Sequence, residues 1–330
     1  MLALFRNSDI LTGVLLLFWT AASRPFIWFY PELLPAADSS GAGALYIACS
    51  SLWSHTPVTG AIAAVLAIFI QAVLINQACN RFRLMPDRNW IPGAVYVLLS
   101  GSLGHTMQIN PAMLGATFLP LLYMQAFSTY KAAQANANIF NTGFLVGLAA
   151  LVFAPAIWWA AGAYLMLHIM RKFSLREQAV WLSGLLTPLY LGALGFWILD
   201  QGKFFIRTQF LQDWALGIGF DRQDSHGWLS LGFWGILIIA ALLGYGASTS
   251  RQLIHPKKCL NALYWMLLIS ALSWFIRRDT DTVWLLWAAP SLSVLLSLAL
   301  QRAPRRAIAE MAFFLLFAAA ITIQFYFLWP

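Results

Sequence analysis

The sequence predicts an all-α fold, a polytopic helical bundle set in a membrane, and three observations carry that prediction. Of 330 residues, 61% belong to the hydrophobic set and 10% are charged, whereas about a quarter of a water-soluble chain is charged. The apolar residues fall in long runs separated by short charged or Pro/Gly-rich breaks, and a helix needs about 20 of them to cross a bilayer. Basic residues crowd into alternate breaks, as the positive-inside rule demands of a multi-pass chain.

The first apolar run covers 10–23, with Arg6 before it and small residues, Ala21, Ala22 and Ser23, at its end. That pattern fits a first span, with a cleaved signal peptide as the alternative. Further spans are expected near 57–78, 91–105, 110–127, 139–154, 156–170, 178–199, 228–246, 259–275, 283–300 and 309–328, eleven in all within a single domain over 1–330. The run from Phe140 to Met170 is too long for one untilted helix, and Pro155 near its middle is the natural break.

Splitting the chain there, with the N-terminus inside and the C-terminus outside, puts fourteen of the 20 Lys and Arg residues on the inner side. These are Arg6, Lys131 and the clusters within 81–88, 171–176, 251–258 and 302–306. Merging the two helices would move the last clusters outside, against the positive-inside bias. The net charge of +8 is therefore assigned to topology rather than to nucleic acid. The three cysteines, Cys49, Cys79 and Cys259, stand singly, so no disulfide framework or zinc site is expected.

Acidic residues gather on the outer side, where three segments exceed the length of a turn. The first, 24–56, holds Glu32, Asp38, Gly41 and Gly43, then a short amphipathic helix with Leu45, Ala48, Leu52 and Trp53 on one face. The second, 200–227, is expected to form an interfacial helix, with Ile206, Phe210 and Trp214 in one stripe and Lys203, Arg207 and Gln212 elsewhere on the turn. The third is dense and short: Arg277, Arg278, Asp279, Thr280, Asp281.

An arginine pair at a membrane surface can grip a phosphate through planar, charge-assisted forks. Arg277 and Arg278 are candidates for that role; pairing with Asp279, Asp281 or lipid phosphates is the plainer reading. Carboxylates at the mouth of a bundle can act as general base or hold a divalent cation. Glu32 and Asp38 are the candidates, with His105 as helper. No metal motif or obligatory cofactor is read from the sequence. Inside the spans, Gln71, Asn76, Gln77, Asn138, Asn141 and His168 are expected to make interhelical hydrogen bonds, and Gly143 with Gly147 forms a GxxxG step for close helix approach.

Two resemblances enter on these residues. The stretches QAVLINQACNRFRLMPDRNWIPGAVYVLLSGSLG from Gln71, INPAMLGATFLPLLYMQAF from Ile109, NIFNTGFLVGLAALVFAPAIWW from Asn138 and MRKFSLREQAVWLSGLLTPLY from Met170 resemble a family of uncharacterised polytopic inner-membrane proteins of Bacteroidetes-type bacteria. That family brings no established function. The layout of a first span, an acidic outer loop with an amphipathic helix, the Gly-rich run GFLVGLAAL from Gly143, and a late span entered by RRDTDTVWLLWAAPSLSVLLSLAL is similar to the C-type membrane glycosyltransferases, which use polyprenyl-phosphate sugars.

This second resemblance implies that Glu32 or Asp38 is the catalytic base and that Arg277, Arg278, Lys203 or Arg207 hold the lipid phosphate. The sequence departs from the family in lacking an Asp-Glu pair in the first outer loop. The function expected is glycosyl transfer at the outer face of a bacterial inner membrane, in envelope biogenesis, with a polyprenyl-phosphate-linked sugar as lipid partner. A non-catalytic subunit of an envelope assembly or secretion complex, or a lipid or glycan flippase, are the alternatives.

Overall fold

In the computed structural model, which describes residues 2–6, 9–30, 39–53, 56–211, 225–249, 253–276, 282–303 and 305–328, the apolar runs are helices. Among the described residues the only β pairing is a lone bridge between Ala42 and Phe153. The helices are α1 (Ile10–Ala22), α2 (Pro25–Phe29), α3 (Ala44–Cys49), α4 (Pro57–Arg81), α5 (Ile91–Gly101), α6 (Pro111–Ala116), α7 (Phe118–Phe127), α8 (Asn136–Val152), α9 (Trp159–Met170), α10 (Leu175–Ile198), α11 (Gly202–Ile206), α12 (Ser225–Thr249), α13 (Ile254–Ile276), α14 (Ala289–Gln301) and α15 (Arg306–Leu328).

Each of the eleven expected segments coincides with one of these helices or with an adjoining pair. Their starts follow from local chemistry. Thr56 caps α4 through the Thr59 backbone N–H at 3.2 Å while Pro57 takes the first helical position, where its missing N–H costs nothing. Asn110 does the same for α6 through Met113 N–H at 2.7 Å, followed by Pro111. Ser174 and Glu177 form a reciprocal capping box on α10, and Glu177 also pairs with Arg171 at 2.8 Å.

Among the described residues, three stretches, Pro57–Arg81, Leu175–Ile198 and Arg306–Tyr326, are long and apolar enough to cross a bilayer unaided. Two expected spans are modified. The segment 91–105 is a helix of 11 residues, all buried, followed by a 3-10 turn at Gly104–Met107. At 1.5 Å per residue α5 reaches only about 16 Å, so it is an internal post of the bundle rather than a lipid-facing span. The segment 110–127 breaks at Thr117 into α6 and α7. Pro120 explains the break, because its ring opposes the carbonyl four residues back and is tolerated only in a first turn.

The long run around Pro155 reverses direction as expected. α8 ends at Val152, a 3-10 turn occupies Ala154–Trp158, and α9 returns until Arg171 Nη1 donates to Ala132 O at 3.2 Å, beside the start of α8. Gly143 and Gly147 also do what their spacing implies. A Cβ at Gly143 would fall on the Trp181 carbonyl, one at Gly147 on the Leu185 carbonyl, and one at Gly184 on the Phe140 carbonyl, so α8 and α10 meet backbone to backbone.

Contacts sort the loops into two ends. At one end Trp90 N donates to Phe5 O at 2.8 Å, the Glu310 carboxylate accepts from Leu2 and Ala3 N–H, and Lys258 lies 5.0 Å over the Tyr130 ring. This is the end of the basic loops. At the other, Gln324 Nε2 donates to Ser23 O and Gly101 O at 2.9 and 2.7 Å, and Gln108 Nε2 to Pro57 O at 2.9 Å.

Candidate functional site

The base of the first long loop is pinned to the C-terminal end of α8. Gly43 N donates to Val152 O at 2.8 Å and Ala154 N to Gly41 O at 3.0 Å. Both glycines are needed: Gly41 has φ 67°, a left-handed conformation that favours glycine, and a Cβ on Gly43 would strike the Leu151 carbonyl. Beyond this clamp, Ala44 and Tyr46 turn inward, with Tyr46 Oη donating to Ile109 O at 3.3 Å. Leu45, Ala48 and Leu52 are exposed, but Trp53, expected on the same face, packs on Tyr46 with ring centroids 5.5 Å apart, and the piece is only α3 and one 3-10 turn.

The second segment reaches the same place. Gln209 is buried; its Nε2 donates to Ala150 O at 2.7 Å and its Oε1 accepts from Ala44 N at 3.3 Å. One amide thereby ties the α11 segment to both α3 and α8. Phe205 packs with Ala44 and Leu151 beneath it. Lys203, Ile206, Arg207 and Phe210 are all exposed, so the apolar stripe expected on one face and the basic residues expected elsewhere share the same surface. The side chains of Lys203 and Arg207 make no hydrogen bond or ion pair among the described residues.

The flank of the third segment arrives there as well. Trp287, which closes the 3-10 turn Thr282–Trp287, donates to Ala112 O at 3.1 Å and lies 5.2 Å from the Phe153 ring. Two outer stretches and the turn that follows the third, distant in sequence, therefore meet around Ala150–Phe153. Of the candidate residues they carry, Glu32, Asp38, Arg277, Arg278, Asp279 and Asp281 lie outside the described residues, as do Trp214 and Gln212. His105 is half-buried in the 3-10 turn that follows α5, and its carbonyl accepts from Asn110 Nδ2 at 3.0 Å.

Arg24 is the residue that composition underrates. It follows α1 directly and is wholly buried, with Nη2 donating to Ser100 Oγ at 3.0 Å and Nη1 to Thr20 O at 3.5 Å. Nε has no partner, and among the described residues no carboxylate pairs with it. Burial pushes the guanidinium down to about 10, which leaves it charged at neutral pH. The sequence signal that marks it is a lone Arg at the end of a span on the side poor in basic residues.

Polar residues inside the bundle are committed to structure. Gln71 Nε2 donates to Met113 O and Thr117 Oγ1 at 2.7 and 2.8 Å, Tyr96 Oη donates to Gln71 Oε1, and Asn76 Oδ1 accepts from Gly93 N at 3.0 Å. By contrast, Asn76 Nδ2 is buried with no partner among the described residues, and Gln77, Asn141 and His168, expected to bond between helices, are exposed.

No family model matches the chain, and neither does any curated protein. Solved structures do. ArnT from Cupriavidus metallidurans, crystallised with undecaprenyl phosphate, superposes with a TM-score of 0.52 at 13% identity, over 88% of this chain and 56% of that one. The apo form of the same protein gives 0.51 at 13% identity, with the same coverage. The chain thus spans little more than half the length of the protein it matches. At this identity the likeness establishes the fold: an all-α membrane bundle with the helix arrangement of ArnT.

Proposed function

We propose that this protein transfers a glycosyl group from a polyprenyl-phosphate carrier, at the bundle end where two outer stretches meet the turn that follows the third. The observation that carries the proposal is that convergence around Ala150–Phe153, in a fold shared with a protein solved with undecaprenyl phosphate bound. In this reading Glu32 or Asp38 removes the proton of the acceptor hydroxyl. The acceptor oxygen bonds to the anomeric carbon as the bond from that carbon to the phosphate oxygen breaks, and polyprenyl phosphate leaves. Arg277, Arg278, Lys203 and Arg207 supply fixed positive charge for the departing phosphate. The setting is the bacterial inner membrane, with the site facing outward in envelope biogenesis.

A carrier is less well supported, because Gln71 and Asn76 are buried and hydrogen-bonded to neighbouring helices, Gln71 to Met113 and Asn76 to Gly93. The test is made in cells. Lipid-linked sugars and surface polysaccharide are compared among wild type, a deletion strain, E32Q/D38N and R277Q/R278Q at equal protein level. Loss of glycan in both variants is expected. Wild-type glycan in both, with a defect in the deletion strain, would transfer the assignment to a non-catalytic subunit.

A further inference from the structure

The basic end carries two adjoining cavities that the proposed transfer reaction does not use. The first, of about 390 Å³, is polar and is lined by Arg6, Asp87, Asn89, Gln301 and Arg306. The second, of about 550 Å³, is an apolar groove among α12, α14 and α15, lined by residues that include Phe233, Leu237, Ala299, Ala312 and Leu315. Leu300, Ala303 and Ala309 belong to both walls. Each cavity falls in the size range of ligand sites, about 300–1,000 Å³.

The polar compartment is short of anions. Its lining holds two guanidinium groups against the single carboxylate of Asp87, and neither guanidinium has a hydrogen bond or ion pair among the described residues. Gln301 Nε2 is buried with no acceptor. Asn89 is already occupied, donating to Asp87 O and accepting from Ile91 N. The apolar compartment opens between helices whose outer surface is lipid-facing, with Leu315 64% exposed, and alanines along its wall leave room for a chain.

From this juxtaposition we infer that the basic end binds an anionic glycerophospholipid, its phosphate held by Arg6, Arg306 and Gln301 and one acyl chain lying in the groove. A free anion would leave the groove unused, and a zwitterionic lipid would leave the charge excess unmet. The arginines act as fork donors to phosphate oxygens, which is the geometry guanidinium favours.

The purified full chain is tested in phosphatidylcholine nanodiscs with and without phosphatidylglycerol, reading thermal midpoint and lipid retained by native mass spectrometry. Phosphatidylglycerol should raise the midpoint of the wild type and stay bound, while inorganic phosphate should do neither. R6Q/R306Q should weaken phosphatidylglycerol retention by about tenfold, the loss of one to two charge-assisted hydrogen bonds. A299F, at an exposed groove position, should weaken it with the charges intact. An equal midpoint with and without phosphatidylglycerol, full retention in R6Q/R306Q, or an equivalent shift from inorganic phosphate would each overturn the proposal. Should R6Q/R306Q not fold, the wild-type lipid comparison and A299F decide it.

Discussion

Arg24 takes a guanidinium charge into the protein interior with two hydrogen bonds and, among the described residues, no carboxylate to meet it. A desolvated charge of this kind costs stability, and apolar replacement of buried ionic groups is often neutral or stabilising. The folded state holds the Arg24 proton less tightly than the unfolded chain, so this cost is fully present below about pH 10 and is relieved only as pH climbs toward the ordinary arginine range. Neutral-range pH effects therefore do not belong to Arg24. We expect Arg24→Met to leave the thermal midpoint unchanged or higher while glycan output falls, because its charge lies at the end of the bundle where the proposed transfer takes place. A lowered midpoint with unchanged glycan output would make Arg24 a structural residue. Sequence inspection could count this arginine but not bury it, since burial depends on Ser100, 76 residues away.

At the scale of elements, the α8–α10 pair is the clearest case of a helix contact readable beforehand. The GxxxG step at Gly143 and Gly147 is a local signature, and the structure supplies its counterpart, Gly184. Gly143→Ala and Gly184→Ala are each expected to lower stability by about 1–3 kcal/mol through overpacking against backbone. Gly232→Ala in α12, where a Cβ meets nothing within 4 Å, should be neutral or slightly stabilising. Thermal unfolding of the three variants in one detergent checks the contrast, and equal losses at all three positions would refute the backbone-contact explanation. α5 shows the opposite case. Hydropathy marks Ile91–Gly101 as strongly apolar, but burial on all sides by protein and burial by lipid demand the same residues. Only the packing around it separates an internal post from a span.

For the whole molecule, the decisive feature is that loops alternate between two ends. The rise of α10 from Ser174 to Leu199 connects the basic end to the end with the pinned glycines. Reporter fusions after Lys172 and after Gln201 should therefore report opposite sides of the membrane, with Lys172 inside. Both on one side would break the topology. The same alternation places the proposed lipid pocket and the proposed transfer site at opposite ends, so substitutions at Arg6 and Arg306 should not mimic those at Arg277 and Arg278.

Membrane residence, helical class, the reversal at Pro155 and the sorting of basic loops were all determined by the sequence alone. Each rests on local composition or on the cost of placing charge in lipid, which the order of residues states directly. The meeting of two outer stretches with the turn after the third at Ala150–Phe153 was decided only by tertiary structure, because one amide, Gln209, and one indole, Trp287, make it by contacts spanning 59 to 175 positions. So was the joining of Arg6 and Gln301 in one cavity. Long-range pairings of this kind depend on how helices pack against each other, and packing is a property of surfaces that no single segment contains.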